Sequence, residues 1–405
     1  MQCRVCGATI DSFMSFGEMP IANGFLAESN FANEYFYELA PAYCENCTIV
    51  QITEQPDPRQ MFHEEYAFFT RTSSYMVEHF HHYAQWVMEN HVENEDPFIV
   101  ELGSNDGALL EYFAKREIRH LGIEPSLNVA NEAKKYHINC LVDFFSENVA
   151  EKICLEFGQA DVIMAANVMC HIPDLHAVAQ GVCKLLKPNG VLIFEDPYLG
   201  DVIKKTSFDQ FYDEHVYMFS INSVSKMFSQ HGLELIDVTP QTTHGGSMRY
   251  VLSRKGERNK SASLNKHLEY ENSLGLRSPS VYQTFKQKCE RHKEQLLEIL
   301  TKKQRDGNRV VGYAATSKST TVLNYCNIGP DLIEYISDTT PLKHGKFTPG
   351  SHIPVRAYDQ FTNNYPDYAV LFAWNHEKEI INKETNYRMS GGKWITFVPD
   401  VRIEG

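Results

Sequence analysis

The stretch Phe98-Ile99-Val100-Glu101-Leu102-Gly103-Ser104-Asn105-Asp106-Gly107 joins an apolar run to an acid and a close pair of glycines. Phe98 to Val100 has the unalternating apolar character of a parallel strand covered on both faces. Gly103 and Gly107 allow backbone conformations and a close approach that a Cβ would block. The apolar spacing of Ala108, Leu109, Leu110, Tyr112 and Phe113 predicts a helix directly after the turn. Helix N-termini facing the ends of parallel strands are where doubly wound folds hold nucleotide ligands. An ordinary tight turn shows the same glycines, so the neighbouring sequence has to decide.

Leu121-Gly122-Ile123-Glu124-Pro125 reads as a second strand ending in an acid. It follows the first by about 20 residues, the spacing at which Rossmann-type sites set a carboxylate on a ribose diol. A dinucleotide turn needs G-x-G-x-x-G, whose second glycine admits a pyrophosphate. Here that place is Asn105, and Asp106 makes the turn acidic. An acidic turn suits a cationic or zwitterionic ligand, which favours S-adenosylmethionine over NAD. Glu101-x-Gly103-x-x-x-Gly107 resembles motif I of the class I methyltransferases.

Strand and helix patterns then alternate to about residue 240, as a parallel α/β sheet requires. Cys140 to Phe145 is a third strand with its exit loop, which sets Asp143 and Phe144 where adenine contacts fall in such folds. Asp161 to Val168 is a fourth strand, ending in Asn167, with His171 just beyond it. Gly190 to Tyr198 is a fifth. Ligands bind beyond the carboxyl ends of such strands, so Gly103, Glu124, Asn167, His171 and Tyr198 are expected to converge on one crevice.

The chain of 405 residues is long enough for two or three domains. A net charge of −14 and a pI near 5.6 argue against a nucleic-acid partner. No apolar run of about 18 residues occurs and the N-terminus lacks a secretory pattern, so a cytoplasmic protein without a membrane partner is expected. Of ten cysteines, four stand in the paired knuckles Cys3-x-x-Cys6 and Cys44-x-x-Cys47. Four thiolates at this spacing close a tetrahedral zinc site with no open position, which predicts a structural zinc holding a domain over 1–56.

Residues 57–95 read as a helical, aromatic connection. Its dense histidines are more simply the polar face of a helix than a metal site, and Tyr66 with the hydroxyls of Thr70 to Ser74 suits the lining of a polar cleft. A methyltransferase domain is expected over 96–254. Within it, Phe211 to Ser220 sets His215 beside Glu214 with Tyr212 and Tyr217 close by, a group titrating near neutrality among partners able to orient it. His244-Gly-Gly-Ser247-Met-Arg249 precedes what reads as an edge strand. Residues 255–307 form a helical linker, and 308–405 a second α/β domain. There a strand, a loop carrying Ser317 and Lys318, and a helix would suit a phosphate.

These motifs resemble one family, the sugar C-methyltransferases that act at C-3 of nucleotide-linked 4-keto-deoxyhexoses. Its carriers are the two cysteine knuckles, Met19-Pro-Ile-Ala-Asn23, Glu101 to Gly107, Asn167-Val-Met-Cys-His171-Ile-Pro-Asp174, Tyr212-x-Glu214-His215, His244 to Arg249, and Asn324 to Asp331 with Pro349 to Pro354. The resemblance implies a zinc-binding domain, a class I methyltransferase domain and a C-terminal Rossmann-like domain, with S-adenosylmethionine as methyl donor. It further implies His215 as the base next to the ketone, supported by Glu214, with Tyr66 and Tyr212 on the keto-sugar and His171 as a further contact. Cofactor binding falls to Glu101, Gly103, Asn105, Gly107, Glu124, Pro125, Asp143, Phe144 and Asn167. Substrate binding falls to Asn23, Tyr198, Ser247, Arg249, Ser317 and Lys318, and a monomer or weak homodimer is expected. The chain departs from many relatives in having Phe68 where they carry a second tyrosine and Ser319 where they carry a glycine. A sugar O- or N-methyltransferase, and a zinc-ribbon adaptor with a non-catalytic central domain, stay open as other readings.

Overall fold

The computed structural model describes residues 1–61 and 69–405. The N-terminal region is built from short strands and the two cysteine knuckles. β1 (Glu18–Pro20) pairs with β2 (Phe36–Glu38), and β3 (Pro41–Tyr43) pairs with β4 (Val50–Ile52). In each knuckle the first cysteine's carbonyl accepts from the amide four residues on, Gly7 to Cys3 at 2.9 Å and Thr48 to Cys44 at 2.7 Å.

The central sheet runs through β5 (Phe98–Leu102), β6 (Arg119–Ile123), β7 (Cys140–Leu141), β8 (Ala160–Ala166) and β9 (Leu186–Pro197). β10 (Tyr217–Met218) instead joins β4 across the domains. β11 (Leu233–Gln241) and β12 (Ser247–Arg254) complete the seven-stranded order β11-β12-β9-β8-β5-β6-β7, parallel from β9 to β7. β5 shows why it lies in the middle. Phe98, Val100 and Leu102 enter one core and Ile99 the core on the opposite face, so both sides are covered. The second core includes Tyr83, Ala84 and Val87 of helix Ser74–His91, and the Tyr83 hydroxyl donates to the Ile193 carbonyl at 3.0 Å.

Two local expectations change. β12 is no edge strand: it lies between β11 and β9, because the chain turns back at Thr243–Gly245 and inserts it beside β9. The helix expected from Ala108 is regular only over Glu111–Ala114. Left-handed Asn105 and Gly107 hold the preceding residues in tight turns instead.

Helices Ala262–Ser273 and Pro279–Arg305 lead to a second sheet of β13 (Val310–Tyr313), β14 (Ile336–Asp338), β15 (Val355–Ala357), β16 (Tyr368–Leu371), β17 (Lys393–Thr396) and β18 (Arg402–Glu404). Its order is β15-β14-β13-β16-β17-β18, parallel except for β18. Both sheets therefore have a switch point, between β5 and β8 in one and beside β13 in the other, where crevices open at carboxyl ends.

Candidate active site

The carboxyl ends of the two sheets face one cavity of about 740 Å³, within the range of about 300–1,000 Å³ of small-molecule sites. Glu101 to Asn105 and Asn167 line it from the central sheet. Thr316 to Lys318 and Asp338 to Thr340 line it from the C-terminal sheet, and Asn23 from the N-terminal domain.

The turn after β5 is shaped for close approach. Gly103 has a φ of +64°, and a Cβ there would sit 2.4 Å from Val168 Cγ2, so only glycine fits. Gly107 is likewise left-handed, but it packs on Ile138 and Ala133 and does not line the cavity. Glu124 anchors the turn, its carboxylate accepting from the Asn105 amide at 2.9 Å and the Ser126 amide at 2.8 Å. Thr70 covers the turn from outside, its amide donating to Asn105 Oδ1 at 3.1 Å. Pro125, Asp143 and Phe144 border the same end of the cavity.

Two acceptors fit a cationic guest. Glu101 Oε2 and Asn167 Oδ1 are buried without a hydrogen-bond partner among the described residues, and both residues line the cavity. Burial first, then the charges of Asp106 and Glu124, hold the Glu101 carboxyl well above the carboxylate range. A bound cation would reverse that penalty, as a sulfonium and ammonium ligand requires. The acidic turn read from the sequence thus meets a cavity with unspent acceptors.

His215 stands deeper, in the turn before β10. Its Nδ1 lies 2.6 Å from the Gln210 carbonyl and its Nε2 2.9 Å from the Tyr212 hydroxyl. A carbonyl only accepts, so the proton sits on Nδ1 and Nε2 carries the lone pair. Burial, with a smaller effect of His171, pushes the His215 pKa well below its usual value, which keeps the ring in its basic form. The His171 ring stacks beside it, centroids 5.3 Å apart. Burial lowers His171 to about 4.

Glu214 does not touch His215 through any hydrogen bond described. Its Oε1 accepts from Asn23 Nδ2 at 2.7 Å, while Asp213 Oδ1 accepts from the Ala22 amide at 2.9 Å. Burial raises Glu214 to about 7. The Gln210 carbonyl orients the histidine instead, a role no side-chain motif can announce.

On the far wall Lys318 Nζ donates to the His244 carbonyl at 3.3 Å and lies 5.5 Å from the Trp374 ring centroid. Lys343 joins this wall, donating to the Ala315 carbonyl at 2.6 Å. The reading of the sequence passed over Lys343. Asp338, the last residue of β14, was visible only as a strand end.

Three expected contacts lie outside the cavity lining. The Tyr198 hydroxyl donates to Glu271 at 3.0 Å, Ser247 Oγ to the Thr243 carbonyl at 3.1 Å, and Arg249 Nε to Glu195 at 2.6 Å. Arg249 also packs on the Tyr83 and Trp86 rings. Ser247 and Arg249 hold the sheet from within, because β12 is internal, and Tyr198 ties the end of β9 to helix Ala262–Ser273. Tyr66 and Phe68 lie outside the described residues.

In the knuckles Cys3 and Cys47 sulfurs are 3.5 Å apart, as are those of Cys6 and Cys44, and all four lie within 4.8 Å of one another. Four sulfurs at about 2.3 Å from one zinc would be about 3.8 Å apart in a tetrahedron, so the cluster fits the ion. A further group of donors is Cys170, His171 and His215, of which the two histidines line the cavity. No helix among the described residues is long and apolar enough to cross a membrane.

Residues 3–62 match the family described as "Putative zinc binding domain", 75–238 that described as "Methyltransferase domain", and 242–399 that described as "C-methyltransferase C-terminal domain". The chain is 32% identical over 407 residues to "C-methyltransferase NovU" of Streptomyces niveus, covering 99% of this chain and 96% of that protein. It is 26% identical over 98 residues to a "Ubiquinone biosynthesis O-methyltransferase" of Escherichia coli, covering 24% and 41%. Among solved structures it is similar to the magnesium protoporphyrin IX methyltransferase of Synechocystis PCC 6803 with bound SAM. That match has 13% identity, a TM-score of 0.34 and coverage of 44% of this chain and 79% of that one.

Proposed function

This chain belongs to the C-methyltransferase family, with S-adenosylmethionine and a cysteine-held zinc as its cofactors, and we propose on that premise that it methylates C-3 of a nucleotide-linked 4-keto-deoxysugar. The observation that carries the reading is the neutral His215, its lone pair on Nε2 beside the Tyr212 hydroxyl, in the same cavity as the Gly103 turn. A methyltransferase acting on an oxygen or amine has no need of a base for a carbon-bound proton.

S-adenosylmethionine supplies an electrophilic methyl group when bound, held by the Gly103 turn with Glu101, Asn105, Glu124 and Asn167. His215 Nε2 takes the C-3 proton, and the electron pair of that C–H bond moves into the enolate of the C-4 ketone. The Tyr212 phenol donates a hydrogen bond to the developing enolate oxygen once substrate enters. Tyr66 is a further candidate for that contact. His171 stacks on the base and is itself kept neutral by burial. Asn23 and Glu214 meet the sugar hydroxyls, and Ser317 and Lys318 suit the diphosphate at the N-terminus of helix Ser317–Tyr325. The nucleotide sugar is the expected partner.

The test follows the C-3 proton of a nucleotide 4-keto-sugar by NMR in D₂O, with S-adenosylhomocysteine in place of the donor. Wild type should wash deuterium into C-3, and His215→Ala should slow exchange and methyl transfer by about 10²–10⁴-fold while still binding cofactor. Equal exchange in both would move the base elsewhere. A methyl group found on oxygen or nitrogen of the product would discard the enolate route.

A further inference from the structure

Cys170, His171 and His215 each offer one ligand atom, and these atoms lie within 4.8 Å of one another. Cys170 and His171 come from the turn Met169–His171 after β8, whereas His215 comes from the turn before β10. Tertiary structure alone brings them together. The His171 and His215 rings are nearly parallel, at 25°. His215 gives its Nδ1 proton to the Gln210 carbonyl, the arrangement that fixes tautomer and orientation in metal-bound histidines. The Cys170 thiol is buried near the Asp196 carboxyl, and burial, with the charge of that carboxyl, holds the thiol in its protonated form until an ion displaces the proton. One sulfur and two imidazoles are a donor set for ions of the zinc class, and three protein ligands leave a fourth position open.

We propose that Cys170, His171 and His215 bind one soft divalent ion of the zinc class, at a second metal site separate from the cysteine knuckles, and that its occupation takes His215 out of catalysis. Binding forms bonds from the Cys170 sulfur and one nitrogen of each imidazole, the thiol proton is released to solvent, and no electron is exchanged. The Tyr212 hydroxyl gives up His215 Nε2 to the ion. The inhibition rests on His215 acting as the base, whereas the binding does not.

The full chain, with its knuckle zinc confirmed by elemental analysis before and after, is titrated with Co²⁺ by equilibrium dialysis and by absorption in the thiolate-to-cobalt charge-transfer region. Zinc inhibition of methyl transfer is measured alongside. Wild type should take up one ion beyond the knuckle zinc and show the thiolate band. Cys170→Ser should lose the band, keep its basal methyl transfer, and need at least about tenfold more zinc for half-inhibition. Cys170→Ala serves as the second variant if the serine hydroxyl disturbs the fold, and His171→Gln should weaken uptake in dialysis. Wild type that binds no ion beyond the knuckle zinc, or a Cys170→Ser protein that binds and is inhibited like wild type, overturns the proposal. Uptake with the thiolate band but without inhibition would refute the catalytic half and point to a base other than His215.

Discussion

His215 owes its readiness to what surrounds it: a carbonyl fixes the proton on one nitrogen, and burial keeps the other basic. Burial acts in the same direction on His91, outside the cavity lining, lowering it to about 4, with Arg258 adding to the effect. Both His91 nitrogens are buried without a hydrogen-bond partner among the described residues, and the ring lies 4.7 Å from Trp86. In the unfolded chain this histidine titrates near 6.5, so its neutral folded form costs nothing above that pH. Stability is then lost as pH falls from about 6.5 toward 4, because the unfolded state binds the proton first. His91→Phe keeps a ring on Trp86 and removes the titration. Its melting temperature relative to wild type should climb as pH drops through that window, and a constant difference would place the acid sensitivity elsewhere. At Gly103 the constraint is steric: Gly103→Ala combines a φ of +64° with a Cβ 2.4 Å from Val168. Calorimetry should find S-adenosylhomocysteine affinity reduced by at least about tenfold, since the strain of a left-handed alanine alone costs about 1–2 kcal/mol and the turn must also shift.

At the scale of elements, the knuckles and the loop they support form one unit with the catalytic turn. Asn23 donates to Glu214, Ala22 to Asp213, and Thr320 Oγ1 to the Ala22 carbonyl at 2.9 Å. A zinc that only braces its own module would still set the position of Asn23. Cys44→Ser, or metal removal by a chelator, should therefore lower the melting temperature and the rate of methyl transfer while cofactor affinity is retained. Loss of cofactor binding in step with zinc would show a wider collapse. Asn23→Ala leaves Glu214 buried without its donor, at a cost of about 1–3 kcal/mol, visible as a lower denaturant midpoint.

On the scale of the whole molecule, the cavity exists because the C-terminal domain is latched to the central one. Trp374 Nε1 donates to the buried Asp209 carboxylate at 2.6 Å, and Gly245 packs so closely on the Trp374 ring that a Cβ would fall 2.1 Å from it. Trp374→Phe keeps most of the packing but leaves Asp209 short of a donor. It should raise the KM for the sugar substrate and leave S-adenosylhomocysteine affinity unchanged, and equal losses in both would mean the latch also shapes the cofactor turn. The sequence by itself determined the cysteine knuckles, the motif at Gly103 to Gly107 and the alternating α/β pattern, because each is written in residues close together along the chain. Spacing, apolar periodicity and left-handed turns are local physics. Which residues share the cavity was decided only by the tertiary structure. Glu214 was expected to support His215, yet the domain packing gives it to Asn23 and leaves a backbone carbonyl to hold the histidine. Tyr198, Ser247 and Arg249 were expected at the ligand, but the insertion of β12 beside β9 makes Ser247 and Arg249 internal struts, and helix Ala262–Ser273 takes the Tyr198 hydroxyl through Glu271. Strand order and the partner of a buried charge depend on contacts between distant segments, and those follow from the free energy of the whole packing rather than from any stretch of it.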